Sequence, residues 1–562
     1  MSRNAPPVHP ERGGTALASS AATPPRAGSR WVIYGAFAVV FAAGLGLGAE
    51  YYVNPSGHPA VAWKVGLALA ATAVLLWASN GKATRPGTAL DRATVPAVIA
   101  AGAVITAILA YAAAAVWPNS GDEYGYVYLA RTLLHGRITN PPPPVPGVFD
   151  FFWVGVRDGK SASQYPPGWS VVLAPFQALG LAPLANPLLV AVLGALLAGC
   201  LRWVGASGPA TVALLALVLL SPFTLFNGAS LFNHTLAAVA VTAVCWLQLR
   251  DDARPRTADK LAIGVALSVA LVTRHEAFLV TAVLFVLDRV IRRRWGFLRD
   301  AVPLGAGGLP ITLAWLAYNR AITGDPFKTT MLWADPAMQT FGYRSFDYQA
   351  ANTALLVAEF CAFASVALLI VYAAALWLRV RGRAVRFYDL LFPATVVFFL
   401  LYPHDPGHQY GPRYWYFAWP SLALTVGAAF PGKDGVARVL GFRVHLPTLA
   451  LLQGATYLAF TLAFALFLRL YVDARRAVYA TPPPTTPAII LIPDRDLTLW
   501  AGQIVPFKAW SRDFTRNPFT FDAPVLYGRG DEPRFAAVAC TLPGRAVYAW
   551  RGPGEMEKVA CP

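Results

Sequence analysis

The sequence predicts an all-α polytopic membrane protein of about thirteen transmembrane helices, with a small extracytoplasmic β-containing domain at its C-terminal end. Three observations predict it. Of 562 residues, 56% are hydrophobic and only 13% are Asp, Glu, Lys or Arg, about half the ~25% charge of a soluble domain. Apolar stretches of the ~20 residues that cross a bilayer core recur along the chain. Many of the 46 Gly and 46 Pro sit inside those stretches, as membrane helices permit. Together these exclude a disordered chain, a coiled coil and an ordinary soluble enzyme.

In chain order, residues 1–30 are polar and Pro-rich and read as a disordered cytoplasmic tail, too long for the n-region of a cleavable signal. Apolar runs follow near 31–53 and 60–79, an N-terminal transmembrane hairpin over 31–93. The main transmembrane domain, 94–471, holds runs near 94–117, 185–203, 209–226, 233–249, 261–275, 277–291, 301–320, 351–378, 387–403, 414–430 and 446–471. One more, 168–184, is short and contains Pro175 and Pro183; it is expected to dip in and return, or to lie along the surface.

Basic residues fix the expected orientation. Arg3, Arg12, Arg26 and Arg30 lie in the tail; short loops carry Lys82, Arg85 and Arg92, then Arg250, Arg254, Arg256 and Lys260, then Arg289, Arg292, Arg293, Arg294 and Arg299. By the positive-inside rule these loops are cytoplasmic, so the N-terminus is inside and the C-terminus outside, in a cell membrane. The same rule accounts for most of the net charge of +17, so nucleic acid is not an expected partner. The segments 118–167, 321–350 and 472–562 then face outward. The last follows the linker Thr481-Pro-Pro-Pro-Thr-Thr-Pro487 and shows β-like alternation in Ala536–Leu542 and Arg545–Trp550. It also holds Cys540 and Cys561, which read equally well as two free thiols or as a disulfide worth ~3 kcal/mol in an oxidising compartment. Cys200, Cys245 and Cys361 lie in apolar runs and read as packing residues; there is no zinc spacing.

The chemistry-bearing residues collect on the outward side. Asp122 and Glu123 stand together at the exit of a membrane helix, and Tyr126, Leu129, Ala130, Leu133 and Leu134 recur at helical spacing, predicting a short amphipathic helix in the interface. Ser120 and Glu123 fit a capping box, a structural explanation for the acidic pair; a general base for an acceptor hydroxyl is the functional one. Gln164-Tyr165-Pro-Pro-Gly168 opens the short run and is an ordinary loop-to-helix stop. His234 joins two helices, where an interfacial residue is commoner than a ligand. Arg274-His275-Glu276 breaks an apolar stretch; a hairpin turn explains the break, yet ionisable groups at membrane depth are usually paired or functional. Lys328, Arg344 and Arg413 complete the set, with Arg413 and Tyr414 entering a helix on the side where positive charge is depleted. Carboxylates beside guanidinium groups suit an anionic lipid, because Arg forks bind phosphate oxygens.

In this order the motifs resemble those of the GT-C glycosyltransferases, multi-pass enzymes that take sugars from polyprenyl-phosphate carriers, and in particular bacterial relatives of the protein O-mannosyltransferases and lipid A aminoarabinose transferases. Asp122-Glu123 with Tyr126 through Gly136 is similar to the first-loop acidic motif, Tyr165-Pro-Pro-Gly168 to the motif after that loop, and Arg274-His-Glu276 to the R-x-E helix end. Tyr318-Asn319 with Gly324-Asp-Pro326 resembles a later loop, and Gly411-Pro-Arg-Tyr414 a motif entering a helix. The resemblance covers roughly 94–430. It implies an inverting transfer from a polyprenyl-phosphate sugar to an extracytoplasmic acceptor (glycan, lipid or protein) in which Asp122 is the base and Glu123 supports it. Arg274 and Arg413 would hold the lipid phosphate, and Glu276, Tyr414, Lys328, Tyr165 and His234 would complete the substrate site. The polyprenyl-phosphate sugar is the donor substrate, and in some relatives such acids hold a divalent metal, for which Asp122 and Glu123 are the residues here. The hairpin 31–79 departs from the pattern. Asp494-Arg-Asp496 looks like a metal motif of nucleotide-sugar enzymes, but it lies outside, where nucleotide sugars are scarce. A transporter or flippase of lipid-linked sugars is the alternative; it would place its polar groups at the midplane of related halves, whereas here they gather at one face.

Overall fold

The computed structural model describes residues 35–47, 61–80, 90–336, 346–401, 409–431, 435–439, 442–493, 495–498, 504–507 and 517–561, apart from positions 37, 146, 152, 294–295, 481 and 531. The expected tail 1–30, Arg344 and Asp494 lie outside the described residues.

Helices dominate. In chain order they are α1 (Ala38–Leu47), α2 (Val61–Ala78), α3 (Leu90–Ala112), α4 (Gly121–Leu134), α5 (Gly168–Ala178), α6 (Ala185–Trp203), α7 (Gly208–Leu219), α8 (Pro222–Ala229), α9 (His234–Ala253) and α10 (Thr257–Thr273). Then come α11 (His275–Arg293), α12 (Phe297–Thr323), α13 (Thr330–Ala334), α14 (Phe346–Phe363), α15 (Val366–Arg381), α16 (Phe387–Leu400), α17 (Pro420–Ala429), α18 (Leu446–Ala480) and α19 (Pro533–Ala539). Among the described residues four helices are long and apolar enough to cross a membrane, or six if each of two bent pairs is one span. The other apolar runs form helices that are shorter or carry more charge.

Two runs that read as single spans are broken. Residues 209–226 bend by 53° between α7 and α8, and 351–378 by 106° between α14 and α15. The cause is the same in each. Ser221 accepts the Thr224 N–H, and Ser365 accepts the Leu368 N–H at 3.0 Å, so each starts a new helix as an N-cap. The short run 168–184 becomes α5, whose 11 residues span ~17 Å, too little for a bilayer core.

Helix α9 begins at His234 and runs 20 residues, ~30 Å, to a buried ionic cluster at the far end of the bundle. There Arg289 meets Asp251 at 3.0 Å, Lys260 meets Asp300 at 2.8 Å, Arg379 meets Asp389 at 2.8 Å, and Arg386 pairs with Asp252. These pairs tie the ends of α9 to α12 and α16 together.

At the near end the segment between α3 and α5 folds as α4 followed by a hairpin, β1 (Val154–Arg157) with β2 (Lys160–Ser163). A second hairpin, β3 (Val436–Val439) with β4 (Phe442–His445), precedes α18. Beyond α18 are β5 (Ala488–Ile492), β6 (Arg495–Thr498), β7 (Ile504–Phe507), β8 (Val525–Arg529), β9 (Ala546–Gly552) and β10 (Glu555–Lys558). Four of them form one sheet in the order β10-β9-β5-β8, with β5 parallel to both its neighbours. Its core is shared: Val145, Val148 and Phe149 of the α4–β1 segment pack with Ile489, Leu491, Leu526, Phe535 and Val547. Cys540 and Cys561 are joined as a disulfide. The alternation read over Ala536–Leu542 is not a strand. Pro533 opens α19 there, a position that suits its fixed φ, and the Ala-rich residues after it favour helix.

The α4 helix is also not one-sided. Tyr126, Leu129 and Ala130 are buried and Leu134 is exposed, but Asp122, Glu123 and Thr132 are buried too. Protein covers several of its faces, so it does not lie as an amphipathic helix with one solvated side.

Candidate active site

Five segments converge at the near end of the bundle. The α4 N-terminus supplies Asp122. The β2–α5 turn supplies Tyr165, and Gly125 makes room for it: a Cβ there would stand 2.8 Å from the Tyr165 ring. Gly168 lets the same turn approach α10, since its Cβ would meet the Val272 carbonyl oxygen at 2.6 Å. The α8–α9 connection supplies Phe232, Asn233 and His234. Arg274 sits in extended backbone between α10 and α11 (φ −151°), the hairpin break read from the sequence. Arg413 and Tyr414 open a short 3-10 turn before α17.

The contacts form one network. Tyr165 donates its hydroxyl to Asp122 Oδ1 at 2.5 Å, and Arg413 Nη2 reaches Asp122 Oδ2 at 2.6 Å. The Arg413 guanidinium lies over the Phe232 ring at 4.3 Å. Arg274 lies over Tyr414 at 4.4 Å and donates through Nη1 to His234 Nε2 at 2.9 Å. An arginine can only donate, so Nε2 is the acceptor and the His234 proton is on Nδ1. His234 stacks on Tyr414 with ring centroids 5.9 Å apart. Glu276 Oε2 is 3.8 Å from Arg274 Nε, a looser pair. Asp122, Tyr165, His234, Arg274 and Arg413 are each less than a tenth exposed. Yet among the described residues Arg413 Nε and Nη1, Arg274 Nε and His234 Nδ1 have no hydrogen-bond partner. Buried guanidinium N–H groups rarely stay unpaired, so this is a cationic pocket with donors to spare beside a carboxylate.

Glu123 makes the capping box that its spacing from Ser120 allows, and one bond more. Its Oε2 accepts the backbone N–H groups of Asn119 (2.7 Å) and Ser120 (2.8 Å), completing a capping box, and its Oε1 accepts that of Leu231 at 2.7 Å. It is a buried tether between α4 and the α8–α9 connection. Burial pushes its carboxyl up, against the three N–H groups and Arg413, which pull it down. With both Glu123 oxygens on backbone N–H groups and both Asp122 oxygens on Tyr165 and Arg413, this pair does not fit a divalent metal. Among the described residues no three His, Cys, Asp or Glu side chains converge as a metal site. Glu123→Ala is expected to strip acceptors from three buried N–H groups, at ~1–3 kcal/mol each, and to lower the thermal unfolding midpoint of the detergent-solubilised protein; Glu123→Gln keeps an oxygen and should lose less. An unchanged midpoint in the alanine variant would remove the tether.

No described side-chain contact joins Lys328 to this network. It lies in the α12–α13 turn, which approaches through Thr330, whose hydroxyl donates to the Gln164 carbonyl at 2.9 Å. Phe232 and Asn233 were not foreseen as site residues; the only sequence signal was their place before His234.

No family profile and no curated protein matches the sequence. Solved structures do match. The fold of this chain is similar to that of a solved ArnT structure. The particular similarity is to ArnT from Cupriavidus metallidurans bound to undecaprenyl phosphate, with a TM-score of 0.51 over 81% of this chain and 92% of that one at 14% identity. ArnT from the same organism in the apo state matches with a TM-score of 0.42 at 14% identity, over 82% and 85%. At such identity the similarity is one of fold.

Proposed function

We propose that this chain is a membrane glycosyltransferase that moves a hexose or pentose from a polyprenyl-phosphate carrier to an acceptor hydroxyl. One observation carries the reading: Asp122 is held between Tyr165 and Arg413, while two buried N–H donors of Arg413 have no partner among the described residues. That is a base beside an anion site. Its fold neighbour binds undecaprenyl phosphate, which supports a lipid-phosphate donor here.

The step balances as an inverting displacement. Asp122 takes the proton of the acceptor hydroxyl, whose oxygen attacks the anomeric carbon from the side opposite the phosphate. The bond from that carbon to the phosphate oxygen breaks, and polyprenyl phosphate leaves with the electron pair. Arg413 and Arg274, fixed over Phe232 and Tyr414, stabilise the charge that develops on the phosphate. Tyr165 orients the carboxylate. No metal enters the step.

The test is direct. The purified protein in lipid nanodiscs should bind undecaprenyl phosphate, read by native mass spectrometry, in competition with a polyprenyl-phosphate sugar. Absence of binding would end the reading. The near end of the bundle is placed outside the cell, with the N-terminus in the cytoplasm. Val156→Cys and Lys558→Cys should therefore both label with an impermeant maleimide on intact cells; protection of both would invert the orientation.

A further inference from the structure

A second cavity, of about 320 Å³, lies beside this network, at the lower end of the ~300–1,000 Å³ of small-ligand sites. Three parts of the chain wall it: Asp150, Phe151, Gly155 and Gln164 from the segment around the β1–β2 hairpin, Asp335 after α13, and Arg529 at the end of β8. Gln164 is the residue before Tyr165, whose hydroxyl donates to Asp122 at 2.5 Å, so one wall of the cavity is the chain neighbour of that contact.

Its polar groups are not all used internally. Gln164 is 2% exposed, and its side-chain Nε2 has no hydrogen-bond partner among the described residues; the same holds for Asp150 Oδ1. The backbone of Gln164 is meanwhile fully engaged, its N–H donating to Trp153 O at 3.2 Å and its carbonyl accepting from Thr330. The amide is therefore held in place with its donor free. A buried unpaired amide costs ~1–3 kcal/mol, so a ligand group that pairs with it recovers that cost. The lining offers one amide donor, two carboxylates and one guanidinium, a net charge of −1. Burial also holds the Asp150 carboxyl up, opposed by the Gly147 N–H and Arg529. A phosphate or carboxylate ligand would meet repulsion here. A sugar hydroxyl would not, because it donates to a carboxylate and accepts from an amide at once.

We infer that this cavity is the acceptor subsite, and that it takes a neutral, hydroxyl-rich acceptor, the terminal sugar of a glycan, presenting one hydroxyl toward Asp122. This rests on the transferase reading and extends it by naming the acceptor class.

The experiment uses the full chain in nanodiscs, wild type and the variants Gln164→Ala and Asp150→Asn. Saturation-transfer NMR with methyl α-mannopyranoside and with lactose reads saccharide binding, and native mass spectrometry reads undecaprenyl phosphate binding. Wild type is expected to bind at least one saccharide. Each variant should weaken it about tenfold, the loss of one hydrogen bond to a charged or buried partner, with lipid binding unchanged. If wild type binds the lipid but neither saccharide, or if both variants bind saccharide as wild type does, the subsite is overturned and the transferase reading stands. If wild type fails to bind the lipid, the transferase reading falls and takes the acceptor role with it.

Discussion

Asp122→Asn is expected to abolish transfer while the protein still folds, inserts and binds its donor. The amide is isosteric, and its oxygen can still accept from Tyr165, which donates at 2.5 Å in the wild type. What it loses is the ability to take a proton. General-base catalysis contributes ~10²–10⁴-fold, so turnover with a polyprenyl-phosphate sugar should fall by about that factor or more, with little change in donor affinity. Wild-type turnover in the purified Asn variant would refute the assignment. The variant also frees Arg413 of its ion pair, so donor binding should hold or tighten. A simultaneous loss of donor binding would mean that Asp122 positions the donor instead.

Arg413→Ala should act on the other partner. It removes the guanidinium over Phe232 at 4.3 Å, together with the two donors that have no partner among the described residues. Hydrogen bonds to charged groups are worth ~1.5–3 kcal/mol, so affinity for undecaprenyl phosphate should drop roughly 10- to 100-fold. Arg413→Lys keeps the charge but not the fork, and should recover part of the loss. Removing one member of a buried pair is itself costly, so the lysine variant also guards against misreading a folding defect as a binding defect. Unchanged donor affinity in both variants would exclude Arg413 from the phosphate site.

Much of this site was legible because membrane proteins seldom tolerate ionisable groups without use. Asp122, Tyr165, His234, Arg274 and Arg413 stood out against apolar surroundings, and the structure brings all five together. The role of Glu123 was less legible. The capping-box spacing was visible, but its third bond, to Leu231, joins residues 108 positions apart, and no local pattern announces that. Phe232 escaped notice because an aromatic residue beside a helix start looks like ordinary packing until a guanidinium lies over it. The helix breaks at Ser221 and Ser365 failed for another reason. Hydropathy averages over a window, and one capping serine barely moves the average, although Pro222 directly after Ser221 is a helix-start signal that could have been weighed. The α19 segment shows how little a seven-residue alternation of small residues decides between strand and helix.

The shared core beyond α18 has a consequence for anyone recombining this chain with a relative. Phe149 and Val148 leave the stretch just after the acid-bearing helix and fill the interior of a sheet built from the far end of the sequence. Arg529 N–H closes the seam on the Val148 carbonyl at 2.8 Å. A chimera spliced within the proline linker would therefore arrive with a hollow that its new host does not fit, and would need residues 145–149 grafted with it to refill that interior.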